Sequence, residues 1–196
     1  MKTTAITLQL IAMSVLTTAA WAQTPAEQDQ QRDVNQQQRI EQGLQSGQLS
    51  TKEAGSLERQ EKHVDNMEAR DLKNGSMSAG EQARLNAAQN KVSGDIYADK
   101  HNGNTGNPNS ASSQRMQSDV QRSVNQQQRI QNGMDNGSLT NREAGSLERG
   151  QGHVNGKEAN AAANGHVSAR EQGRIQRSAN RQSGRIYRKK HNATTK

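Results

Sequence analysis

The chain has 196 residues, with 26 Lys and Arg against 19 Asp and Glu, 2 Pro, and neither Cys nor Phe. The lack of Cys excludes disulfide stapling and thiolate chemistry. Leu, Ile, Val and Phe together number 25, below the roughly 20% at which composition begins to resemble disorder, so helices with thin packing and marginal stability are expected.

Residues 1–22 read as a signal peptide. Lys2 is followed by the apolar run AITLQLIAMSVLTTAA and by Ala20-Trp21-Ala22: a basic n-region, an h-region too short for a stable span, and an A-x-A cleavage site after Ala22. No Cys follows, which excludes a lipoprotein anchor. No second apolar run occurs, so a periplasmic or extracellular protein without a transmembrane segment is expected.

The next elements are helices, because helix formers dominate and β-branched runs are missing after the signal peptide. The first helix is expected over about 26–44, with Val34, Ile40 and Leu44 on its apolar face. A second, capped by Ser50 or Thr51, carries Ala54, Leu57, Val64 and Met67; a third, capped by Ser78, carries Leu85, Ala88, Val92 and Ile96. GNTGNPNSASSQ, residues 103–114, reads as a flexible linker. After it the plan repeats: residues 32–102 align with 122–192 at a constant offset of 90, through VNQQQRI, EAGSLER, HV, SGxIY and KHN.

The expected fold is therefore all-α, two tandem three-helix units of about 70 residues spanning 26–102 and 115–192. GQGHVNGKEA places three Gly in the second helix of the second unit, each costing about 1 kcal/mol against Ala, so fraying is expected there. The copies differ in charge: residues 23–102 hold 10 Lys/Arg against 13 Asp/Glu, a net of −3, whereas 103–196 hold 15 against 6, a net of +9. Such asymmetry points to an interaction surface on the second half.

A motif of the form small-Gly-x-apolar-Ser/Thr-x-x-Glu occurs four times, as SGQLSTKE, NGSMSAGE, NGSLTNRE and NGHVSARE. It matches the second half of an EF-hand loop, but positions 1 and 3 are Gln42 and Leu44, Arg70 and Leu72, Asn132 and Met134, or Asn160 and Ala162, too few oxygen ligands for calcium. Helix punctuation explains every position. Gly47, Gly75, Gly137 and Gly165 would end a helix in the left-handed conformation, and Ser50, Ser78, Thr140 and Ser168 would cap the next one, each closing a capping box with Glu53, Glu81, Glu143 or Glu171.

With VNQQQRI, GQLSTKEAGSLER, NGSMSAGEQARL and DIYADKHN, and their second copies, the chain resembles a broad group of uncharacterised exported bacterial helical-repeat proteins. That resemblance implies helical hairpins distantly like EF-hands, and carries no activity or binding residue.

The most pointed functional feature is a row of arginines in the last helix: Arg170, Arg174, Arg177, Arg181, Arg185 and Arg188, which at 100° per residue fall within about an 80° sector. With no acid on that face they suit a polyanion, an anionic membrane surface or an acidic protein, including the acidic first unit. Only Tyr97 and Tyr187 are aromatic in the mature chain, so base stacking is excluded as a main mode. His63, His101, His153, His166 and His191 have no i, i+4 pairing; a copper or zinc site using them with Met67 or Met77 is the weaker alternative. The remaining carboxylates read as solvated helix-surface partners of Arg.

No G-x-S-x-G, Walker loop or H-E-x-x-H occurs, so no enzyme and no cofactor is expected. Three roles stay open: an exported non-enzymatic protein binding an anionic partner through the Arg row, a periplasmic metal-binding or metal-responsive protein, or a structural scaffold, with self-association available to each.

Overall fold

The computed structural model describes residues 23–193. The expected signal peptide and its cleavage point after Ala22 lie outside the described residues. Six α-helices follow in order, α1 (Pro25–Ser46), α2 (Thr51–Asp71), α3 (Ala79–His101), α4 (Ala111–Asp135), α5 (Asn141–Ala162) and α6 (Ala169–Lys190), with one 3₁₀ turn at Leu72–Asn74. No strand occurs among the described residues, and the fold is all-α. No described helix is long and apolar enough to cross a membrane.

The four repeated turns are helix stops and starts. Gly47, Gly75, Gly137 and Gly165 have φ of 75°, 93°, 76° and 81°, the region that a Cβ disfavours and a helix terminus uses. Ser50, Ser78, Thr140 and Ser168 each accept from the backbone N–H of the Glu three residues on, and that Glu returns the bond to the cap residue. A fifth capping box, Thr24 with Glu27, starts α1.

Two expectations about local order are corrected. The segment 103–114 is not all linker: α4 begins at Ala111, capped by Ser110, one turn earlier than its counterpart α1. The rest of that segment is held in place, with Gly106 N–H donating to Gly47 O at 2.8 Å and Gln117 Nε2 to Pro108 O at 2.9 Å. Nor does α5 fray at its glycines; it runs unbroken from Asn141 to Ala162. The reason is packing, since α2 and α5 form the most extensive helix interface and lie antiparallel at close range. A Cβ on Gly145 would sit 2.8 Å from the Leu72 Cβ, one on Gly55 2.5 Å from the Ala162 Cβ, and one on Gly156 2.9 Å from Lys62 Cδ.

The pairs Gly55–Ala162 and Leu72–Gly145 exchange when 90 is added to the lower partner and subtracted from the higher. Such reciprocity is the signature of a twofold-related interface. The α1–α4 pair is antiparallel as well, joined by Gln131 Nε2 to Gln31 Oε1 at 2.6 Å near one end and Gln117 Nε2 to Leu44 O at 3.4 Å near the other. Helices α1, α2, α4 and α5 thus form the centre; α3 covers α1 and α2, and α6 covers α4 and α5. The two repeats share their core: both apolar clusters take residues from each half, Leu57 with Val154 in one and Leu72 with Leu147 in the other.

Candidate cation site in the helix interior

What fills the rest of the interior is polar. Asp33 of α1, Glu58, Glu61, Asp65 and Glu68 of α2, Asp119 of α4, and Glu148 and Glu158 of α5 are each at most 1% exposed. The expectation that such carboxylates are solvated partners of Arg is corrected here, for Glu58 and Glu148 belong to the EAGSLER repeat itself. On α2 the acids recur at steps of 3, 4 and 3, which keeps them on one helix face beside the apolar stripe, pointing into the bundle.

Three of them meet. One carboxylate oxygen from each of Asp33, Glu68 and Glu148 lies within 4.8 Å of the others. Each is oriented by an amide on one oxygen: Gln89 Nε2 donates to Asp33 Oδ1 at 2.8 Å, Gln30 Nε2 to Glu68 Oε2 at 2.9 Å, and Gln127 Nε2 to Glu148 Oε2 at 3.0 Å. The second oxygens, Asp33 Oδ2, Glu68 Oε1 and Glu148 Oε1, have no donor, and neither do Oε1 of Gln30 and Oε1 of Gln127. Asp65 stands alongside, accepting from Gln127 at 3.2 Å and Asn155 at 2.9 Å.

The electrostatics follow from burial. Desolvation raises the Asp33 carboxyl to about 7 and Glu148 to about 8; it also holds Glu61, Asp65 and Glu68 well above the ordinary carboxylate range, with their acidic neighbours adding to the shift. A buried carboxylate must acquire a proton or a cation. As ionised groups these oxygens repel; with a shared proton Asp33 and Glu68 can bond. Oxygens lying within 4.8 Å of one another can share a single hard cation, since two oxygens across a Ca²⁺ lie about 4.6–5.2 Å apart. An all-oxygen set of carboxylates, with amides fixing their orientation, is the donor chemistry of Ca²⁺, Mg²⁺ or Mn²⁺ rather than of copper or zinc.

The repeated sequence blocks turn out to be the supports of this interior. In VNQQQRI, Gln36 donates to Gln89 O at 2.6 Å and Ser93 Oγ at 2.8 Å, fastening α3, while Gln37 turns inward to Glu58 at 3.0 Å. Their copies Gln126 and Gln127 repeat both contacts with Ser183 and Glu148. In the KHN blocks Asn102 and Asn192 reach back to the cap residues Glu53 and Glu143.

The histidines are not brought together. His63, His101, His153, His166 and His191 are exposed, and His101 and His191 stack on Tyr97 and Tyr187 while bonding their carbonyls at 2.7 Å. Met67 and Met77 pack in the apolar clusters. The turn residues cap helices. The arginines of α6 divide: Arg170, Arg174, Arg177, Arg181 and Arg188 are exposed, whereas Arg185 donates to Ser146 O at 2.9 Å. None of the six forms an ion pair among the described residues. Arg181 and Arg185 border a cleft of about 440 Å³ with His153 and Lys157. Because α6 packs on α4 and α5 of its own repeat, the acidic first repeat does not neutralise this face.

No protein-family model, curated protein or solved structure matches the chain.

Proposed function

We propose that the protein is an exported, non-enzymatic helical protein that binds a hard cation in its interior, through Asp33, Glu68 and Glu148. The observation that carries this reading is the convergence of three carboxylate oxygens within 4.8 Å, each amide-oriented on one side and without a donor on the other. A cation there would replace protons and cancel mutual repulsion, so it would add stability that a chain without disulfides and with a thin apolar core lacks. Because the ligands come from α1, α2 and α5, one ion would tie both repeats together. Calcium-like cations are favoured over copper and zinc by the all-oxygen donor set.

Calorimetric titration of chelator-stripped protein with Ca²⁺, Mn²⁺ and Zn²⁺ tests this. Saturable heat with Ca²⁺ or Mn²⁺ is expected, and loss of its tightest component in Asp33→Asn with Glu68→Gln. Absence of any saturable heat at millimolar cation would overturn the reading.

The exposed arginine face of α6 supports a second role, binding of a polyanion or anionic surface. Five exposed guanidiniums with no ion pair among the described residues make a row suited to phosphates or carboxylates. Retention on heparin should fall, and its salt dependence weaken, when Arg174, Arg177 and Arg181 are changed to Gln. Unchanged retention would remove this role.

A further inference from the structure

The pseudo-twofold relation carries the interior site one step further. Adding or subtracting 90 converts Asp33, Glu68 and Glu148 into Ser123, Glu158 and Glu58. We propose that the interior takes up two hard cations, the second held by Glu58 and Glu158 with the Ser123 hydroxyl and the Gln37 carbonyl oxygen, at the mate of the first position. This rests on the cation-binding reading above and fixes its stoichiometry and ligands.

One supporting amide bond is repeated across the axis, while the mates of Gln30 and Gln89 are Val120 and Ala179. Gln127 donates to Glu148 at 3.0 Å, and Gln37 donates to Glu58 at the same 3.0 Å. Ser123, in the place of Asp33, donates its hydroxyl to Glu158 Oε1 at 3.1 Å. The opposite oxygens, Glu58 Oε1 and Glu158 Oε2, have no donor, although the two carboxyls approach within bonding reach of one another. A further observation points to a ligand rather than to acid crowding alone. Gln37 is 0% exposed, its amide nitrogen bonds Glu58, and its Oε1, a neutral oxygen suited to a hard cation, accepts nothing.

The two positions are unequal. The first has three carboxylates and the second has two with a hydroxyl, because the two copies differ at this position, Asp33 in one and Ser123 in the other. Asp65 leans the same way: Glu148 and Asp33 of the first position act on it more strongly than Glu58 of the second, and its mate Asn155 is neutral. Cation affinity rises with ligand charge count, so the first position fills before the second.

Native mass spectrometry of chelator-stripped protein titrated with Ca²⁺, and in parallel with Mn²⁺, counts bound ions. Two are expected, filling in sequence, with one remaining in Glu58→Gln/Glu158→Gln and the second site tightened at least tenfold by Ser123→Asp. Glu→Gln keeps the bulk and Ser123→Asp adds a carboxylate at a buried position, so helicity by circular dichroism certifies folding of each variant, and a change of binding counts only in variants that pass. One ion in the parent protein, or two retained in the double Gln variant, overturns the second site and leaves the first standing. No ion in the parent overturns both.

Discussion

Buried carboxyls such as Asp119 make the protein's response to pH legible residue by residue. Its carboxyl is raised to about 7 by burial, against the hydrogen bond from Gln176 of α6 and the charge of Arg122 on its own helix, and Glu158 of α5 feels its charge in turn. A folded-state value above the unfolded one means the folded form binds the proton more tightly. Stability from this group is therefore full below about pH 4 and declines as pH rises toward 7. Asp119→Asn should raise the thermal midpoint at pH 8 and leave it nearly unchanged at pH 4, measured by scanning calorimetry; equal effects at both pH values would show that the carboxyl is not desolvated. The spacing of Glu58, Glu61, Asp65 and Glu68 was visible in the sequence as a stripe continuous with Leu57 and Val64. Their residue type argued for solvent, and only the packing of α5 over that face reverses it.

The helices themselves were readable because their boundaries rest on short-range chemistry. Ser50 to Glu53 and its three repeats close within four residues, so no tertiary information is needed to find them. Ser168→Ala removes an N-cap and should cost about 1 kcal/mol, seen as a lower urea midpoint with unchanged slope. Glycine inside a helix is the opposite case. Gly94 of α3 has nothing within 4 Å of a built Cβ, and Gly94→Ala should stabilise by about 0.5–1 kcal/mol through helix propensity. The same change at Gly55 or Gly145 would meet Ala162 or Leu72 across the α2–α5 interface and should destabilise by about 1–3 kcal/mol despite that propensity. A common sign at the exposed and the interfacial positions would mean that α2 and α5 are not in close contact. The fraying expected for α5 failed for this reason: propensity counts the helix alone, whereas its glycines are what let a neighbour approach.

At the scale of the molecule, burial couples pH, cation and stability. Asp33 and Glu58 near 7 and Glu148 near 8 are all raised by desolvation, so the cation-free protein should lose stability as pH climbs from about 4.5 through 8. The cap residues Glu81 and Glu171 are held below the ordinary range by the Ser78 and Ser168 hydroxyls and backbone, and their contribution is lost below about pH 4. An optimum near pH 5 follows for the cation-free form. Calcium should offset part of the alkaline decline: at a hundred times its dissociation constant one bound ion adds about 2.7 kcal/mol, a rise of about 5–10 °C in the midpoint at pH 8. A midpoint at pH 8 insensitive to both chelator and Ca²⁺ would contradict this coupling.

Sequence alone determined the helical class, the capped turns, the 90-residue duplication and the exposed arginine row, because each depends on spacing within a few residues or on direct comparison of two copies. Tertiary structure decided how the copies meet. Two repeats that read as neighbours on a string pack as antiparallel mates through glycine contacts, and that pairing of α2 with α5 brings Glu148 to Glu68 and Asp33. Charge on a helix face has no sign of burial in it until the opposing helix is known, so the acids became the candidate site only when the second repeat closed over the first.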